Sequence, residues 1–150
     1  MTMLSFTVPG IPIPQGSKNV FNGRLVEVNG RKLRIWRKTI AVVASAAHKN
    51  QAPLDEPLHL IVEFRFSRPK SHFGTGKNSL LLKQNAPMLY KNRPDLDKLV
   101  RAVGDALTQA GVIRDDSRIT RITASKVYGV SGATITLDKD RLPISNGVSI

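Results

Sequence analysis

Arg93-Pro94-Asp95-Leu96-Asp97-Lys98-Leu99-Val100-Arg101-Ala102-Val103-Gly104-Asp105-Ala106-Leu107 is the stretch on which the reading of this chain turns. Leu96, Leu99, Val100, Val103, Leu107 and Ala110 recur at helical spacing, which predicts an amphipathic helix from about Leu96 to Ala110 with one face in a core. Gly111 supplies its stop. Pro94 disfavours helical geometry at Arg93, so Asp95 is suited to the N-cap and Asp97 to the first turn. Inside the helix the two carboxylates would project about 200° apart. With Asp95 outside it, both can gather at the N-terminus, where the macrodipole favours negative charge.

Downstream of this helix, Asp115-Asp116 lies about 20 Å from Asp95 if the chain simply continues, so it must fold back to share a ligand. Two strands are expected next, at 119–128 and 133–137, joined as a hairpin through 129–132. Upstream, Leu58, Leu60, Val62, Phe64 and Phe66 alternate with His59, Glu63 and Arg65, the period of a half-buried strand. Trp36, Ile40, Val43, Ala44 and Ala47 predict a first helix from Trp36 to about Asn50. Leu25 to Val28, Asn29-Gly30 and Arg31 to Ile35 read as a two-residue hairpin. A short strand at 3–8 is stopped by Pro9, Gly10, Pro12 and Pro14. Together these elements predict an α+β fold: a single two-layer domain over 1–150, a mixed sheet with two main helices. Residues 67–94 are expected to form a flexible basic loop, and 140–150 a frayed tail.

The 150 residues suffice for one ordinary core, and the absence of cysteine excludes disulfides, thiol catalysis and Cys-ligated zinc. No apolar run is long enough for a membrane span, so a cytoplasmic protein is expected. Lys and Arg number 23 against 11 Asp and Glu, a net charge of +12, which favours a polyanionic partner such as nucleic acid. Residues 1–94 hold 15 of the basic residues and only four acids, whereas 95–116 hold five acids, all aspartate. Carboxylates placed where phosphates must approach make sense if a metal ion lies between them.

Clustered aspartates without neighbouring His or Cys are hard oxygen ligands, suited to Mg²⁺, with Mn²⁺ as the alternative. Such an ion activates water for phosphodiester hydrolysis. Asp97, Arg101 and Asp105 repeat at i, i+4 and i+8, so Arg101 can neutralise transition-state charge one turn from Asp97. The residues Arg31, Lys32 and Arg34 of the expected hairpin are either a charge-protected sheet edge or a DNA-contacting arm. Arg68, Lys70, Lys77, Lys83, Lys91 and Arg93 punctuate the long loop, with His72, Phe73 and Tyr90 interleaved, a composition that can fold around a phosphate backbone. His48, His59 and His72 have no ligand spacing and read as structural.

The stretch quoted above, with Ala110-Gly111-Val112-Ile113 and Asp115-Asp116-Ser117-Arg118-Ile119, resembles the RusA family of Holliday junction resolvases over some 27 residues in register. Val8-Pro9-Gly10 through Pro14-Gln15-Gly16-Ser17-Lys18 is a weaker echo of the same family, and it adds Lys18 to the candidate DNA contacts. The resemblance implies a homodimeric, bacterial or phage-encoded α+β enzyme that uses Mg²⁺ to place paired nicks in four-way junctions. It implies Asp95, Asp97 and Asp116 as essential carboxylates and metal ligands, with Asp115 in support. Two positions depart from the pattern: Lys98 stands where the family commonly has Asn, and Arg101 where it has a functional lysine. Arginine keeps the charge but cannot give up a proton, so either Lys98, one turn earlier, takes over an acid's role, or Arg101 serves in place of the lysine and the role is electrostatic only. The alternative is a catalytically weak or inactive junction-binding protein.

Overall fold

The computed structural model describes residues 2–16, 18–27 and 30–141. In chain order the elements are β1 (Thr2–Pro9), β2 (Lys18–Phe21), β3 (Arg24–Glu27), α1 (Gly30–His48), β4 (Leu58–Phe66), α2 (Leu96–Gln109), β5 (Ile119–Tyr128) and β6 (Gly132–Lys139). Four strands form one mixed sheet in the order β1-β6-β4-β5, and β2 and β3 form a separate two-stranded ribbon. The architecture is α+β: one sheet with the two main helices packed on it.

Alternation builds the core. Leu58, Leu60, Val62, Phe64 and Phe66 of β4 are all buried, joined by Phe6 and Val8 of β1 and Ala133, Ile135 and Leu137 of β6. Facing them, α2 contributes Leu99, Ala102, Val103, Ala106 and Leu107, and α1 contributes Leu33, Trp36, Ile40 and Ala44. The opposite face of the sheet is polar: Ser5 meets Thr136, Thr7 meets Thr134, and His59 meets Thr123 through side-chain hydrogen bonds. One buried face and one wet face define two layers.

Two local expectations need correction. The hairpin turn is Asn22-Gly23, with φ of 50° and 74°, so Arg24 to Glu27 pair backwards with Lys18 to Phe21 and not forwards with Arg31 to Ile35. Val28 and Asn29 lie outside the described residues. From Gly30 the chain is helical, because Leu33 joins Trp36, Ile40 and Ala44 on one buried stripe and helical period outweighs the short alternation. Arg31, Lys32 and Arg34 are thus exposed on the opening turns of α1.

The expected terminal hairpin is also absent. β5 and β6 both exist, but β4 lies between them, parallel to β5 and antiparallel to β6. The cause is the crossing at 129–132. Gly129 N–H donates to the Phe66 carbonyl, Arg65 Nε donates to the Val130 carbonyl, and the link steps over the end of β4 to enter beside β1.

The connection after β4 carries 3-10 turns at Lys70–His72 and Gly76–Asn78 and folds on itself, with Gly74 N–H bonded to Leu81 O and Lys83 N–H to His72 O. It is tied to β5 as well: Tyr90 and Lys126, and Tyr128 and Met88, are joined through backbone bonds. Tyr90 stacks on Phe66 at 4.2 Å, and Arg68 lies over the Tyr128 ring while donating to the Pro87 carbonyl. At the end of β6, Asp140 is fixed by its N–H to Pro57 O and by Thr120 and Arg121 on its carboxylate, while residues 142–150 of the expected tail lie outside the described residues.

A Cβ on Gly132 would sit 2.5 Å from the Val8 carbonyl oxygen, whereas one on Gly129 would meet the flexible Arg65 side chain at 3.2 Å. Gly132→Ala is expected to destabilise by about 1–3 kcal/mol and Gly129→Ala by distinctly less. Urea denaturation followed by circular dichroism measures both.

Candidate active site

The acidic face is built on α2. Asp95 occupies the N-cap position with extended backbone (φ −69°, ψ 139°), yet its side chain makes no capping hydrogen bond. Its carboxylate instead lies 3.8 Å from Lys98 Nζ and is more than half exposed. Asp97 follows in the first turn, exposed to solvent. Arg101, Gly104, Asp105 and Thr108 continue the same face toward the C-terminal end, while the opposite stripe is sealed in the core.

The N-terminal loop lies across this face. Gln15 N–H donates to the Lys98 carbonyl, and the Gln15 side-chain amide donates to Asp105. Gly16, at φ +102°, runs so close to Arg101 that a Cβ would fall 2.5 Å from a guanidinium nitrogen. The far end of the flexible Arg101 side chain could move aside, so it is the backbone angle that calls for glycine there.

Asp116 is carried back to α2 by a chain of local contacts. Gly111, at φ +72°, ends the helix, and Val112 and Ile113 then bury themselves in the core. Leu54 N–H bonds to Val112 O and Arg114 N–H to Leu54 O, so the segment before β4 straps the returning chain down. Asp115 caps a 3-10 turn, Asp116–Arg118, by accepting from Ser117 N–H at 2.9 Å. Arg118 then pairs with Asp55. As a result the Asp116 Cβ lies 3.6 Å from where a Cβ on Gly104 would be.

The aspartates therefore share one face but are spread along it. Asp97 is seven residues before Gly104, about 10 Å along the helix axis. Asp116 is accordingly nearer Asp105 than Asp97. Asp105, Asp115 and Asp116 line one cleft of about 190 Å³ together with Arg37, Thr108 and Gln109. Among the described residues, no three His, Cys, Asp or Glu side chains are gathered closely enough to hold an ion unaided. The donors are nonetheless all carboxylate oxygens, the chemistry that Mg²⁺ and Mn²⁺ take. Mg²⁺ commonly uses one or two carboxylates and completes its shell with water and substrate phosphate, which an open row of aspartates accommodates better than a closed cage would.

Three residues of this region are weakly marked or unmarked in the sequence. Asp105 was visible there only as the third member of an i, i+4, i+8 row. Gln15 sits in a Pro- and Gly-rich stretch with no periodicity, and Arg37 comes from a different helix, so neither carried a local signal.

An acidic helix face on an otherwise basic protein is compatible with hydrolysis of a phosphodiester bond. Comparison with known families gives the same class: the profile described as Endodeoxyribonuclease RusA matches residues 9–138. The chain belongs to the RusA endodeoxyribonuclease family. No curated protein matches it significantly. Among the described residues no helix is long and apolar enough to cross a membrane.

The Asp115 carboxyl is held below its ordinary value of 3.8 by hydrogen bonds from the Ser117 hydroxyl and backbone N–H, aided by the Arg118 charge and opposed by desolvation. A depressed carboxyl pKa stabilises the fold above the unfolded value and loses that contribution as pH falls through the folded one. Asp115→Asn is therefore expected to melt below the parent at pH 6, with the gap in Tm closing as pH drops below 3.8. Thermal melts across pH 2.5–6 check this.

Proposed function

We propose that this protein is a Mg²⁺-dependent, structure-selective endodeoxyribonuclease that resolves four-way DNA junctions by paired symmetric hydrolysis, acting as a homodimer. The observation that carries the reading is the return of Asp116 onto Gly104, against the same α2 face that presents Asp97 and Arg101. A turn whose only task was to connect α2 to β5 would have no reason to bring another carboxylate to an acidic surface.

Asp95, Asp97 and Asp116 are the ligands this reading assigns; spaced along α2 as they are, one or two of them would ligate a given ion while water and a DNA phosphate complete its shell, with Asp115 in support through the turn it caps. When bound, such an ion supplies an activated water and stabilises the leaving oxygen. The chain's own residues do the rest. Asp95 is not consumed by helix capping, so its carboxylate stays available. Arg101, exposed on the face beside Gly16, would present its guanidinium to a DNA phosphate and stabilise charge in the transition state. Lys98 balances Asp95 and is the one amine on this face able to exchange a proton with the leaving oxygen.

Affinity for the duplex arms would come from cations around this face. Arg31, Lys32 and Arg34 are exposed on α1, and Lys70, Lys77, Lys83, Lys91 and Arg93 are exposed along the connection before α2. Lys18 lies on β2 opposite Glu27. Arg68, engaged with Pro87 and Tyr128, would act by shaping that connection more than by reaching phosphate. A two-fold dimer suits a junction, because each protomer would cut one of two symmetry-related strands.

The test is cleavage of a labelled synthetic four-way junction against linear duplex, with and without Mg²⁺. Paired, metal-dependent nicks are expected in the parent. Asp97→Asn and Asp116→Asn should each lower the single-turnover rate by about 100-fold or more, some 2.7 kcal/mol of barrier, while gel-shift affinity in Ca²⁺ is retained. Tight junction binding without cleavage in Mg²⁺ or Mn²⁺ would instead identify a junction-binding protein that has lost hydrolysis.

A further inference from the structure

The cleft beside Asp116 has a second wall. Arg37, midway along α1, lines it opposite Asp105, Asp115 and Asp116. Its Nε is buried and has no hydrogen-bond partner among the described residues. Nor does Arg37 form an ion pair with any described carboxylate within 4.0 Å, although three aspartates share its cleft.

Such a placement is costly for a structural arginine. A buried guanidinium N–H left unsatisfied costs more than a neutral one, and an arginine beside carboxylates ordinarily settles into a forked pair with one of them. Two other arginines do settle in this way: Arg118 pairs with Asp55, and Arg121 with Asp140. Arg37 is held back because its neighbours Trp36 and Ile40 are locked in the core, which fixes the turn of α1 that carries it. A tetrahedral oxyanion, which accepts from the guanidinium fork, would supply the partner that Nε lacks.

We propose that Arg37 binds the DNA phosphate at or next to the cut bond, from the α1 side of the cleft, as a catalytic residue of this enzyme. The inference rests on the nuclease reading above and adds to it a residue remote from the acidic stretch. Charge balance favours it. A phosphate entering a cleft lined by three aspartates meets repulsion that Arg101 on α2 answers from one side only, and Arg37 answers it from the other. Arg34, one turn earlier on α1 and exposed, would guide the strand toward it.

The experiment compares the parent with Arg37→Met, which keeps the aliphatic packing, and Arg37→Lys, on the four-way junction in Mg²⁺. Single-turnover cleavage by Arg37→Met should fall about 100-fold, junction affinity should change less than about threefold because many other cations carry it, and millimolar guanidinium should restore part of the rate. Arg37→Lys should lie between the two, and melting temperatures of both variants should stay near the parent's. In parallel, the Arg37 Nε–H resonance, assigned by its loss in Arg37→Lys, should shift when the parent binds junction DNA in Ca²⁺.

Cleavage by Arg37→Met within threefold of the parent, or a loss that follows melting temperature and is not rescued by guanidinium, would overturn the proposal. If the parent itself fails to cut, the resonance still decides. A shift on DNA binding would keep the phosphate contact while the resolvase reading falls, and no shift would remove both.

Discussion

The burial of α2 in the core it shares with β4 is the constraint from which the rest follows. Leu99, Val103, Ala106 and Leu107 are buried in one core with a strand whose alternate side chains, Leu58 through Phe66, are all inward. A helix sealed on one stripe has no freedom to rotate, so its opposite face is fixed as well. Asp97, Arg101 and Asp105 owe their common direction to hydrophobic contacts on the far side of the same helix. The acidic face needs no dedicated scaffold of its own, since the core already aims it.

The same burial organises the surrounding chain. Because α2 lies on the sheet, the chain leaving it must return alongside β4, and β5 does so in parallel. The return is where Asp116 is delivered, and Leu54 holds it there through bonds to Val112 and Arg114. The N-terminal loop is drawn into the arrangement by Gln15, which touches α2 at two levels, Lys98 and Asp105. Four segments distant in sequence thereby converge on fourteen residues of helix.

Much of this was legible in the sequence, and the reasons for the exceptions are physical. The stripe of α2, the alternation of β4 and the stop at Gly111 are short-range patterns, and they read correctly as helix, strand and terminus. The reading also required Asp116 to fold back without being able to say how far. That distance depends on the buried pair Val112 and Ile113 meeting Leu54, a contact between segments nearly sixty residues apart. The first hairpin was assigned to the wrong one of two Asn-Gly pairs because turn chemistry is equal at both. Only Leu33, needed in the core, decides that Gly30 begins a helix. The order of β5 and β6 was hidden for a similar reason: sequence adjacency suggests a hairpin, and only β4 lying between them forbids it. Arg37 had no signal at all, because its significance comes from what lies across the cleft.

The sheet order also bears on how the molecule is made. β6, the last of its strands in the chain, sits in the interior, hydrogen-bonded to β1 on one side and β4 on the other. During synthesis β1 therefore leaves the ribosome with no partner and waits while more than 120 further residues are added. α2 and its aspartates are complete well before β6 arrives to lock the sheet beneath them. A nascent chain thus carries every acidic residue of the cleft before the sheet behind α2 is complete, and the finished fold waits on the insertion of a single strand.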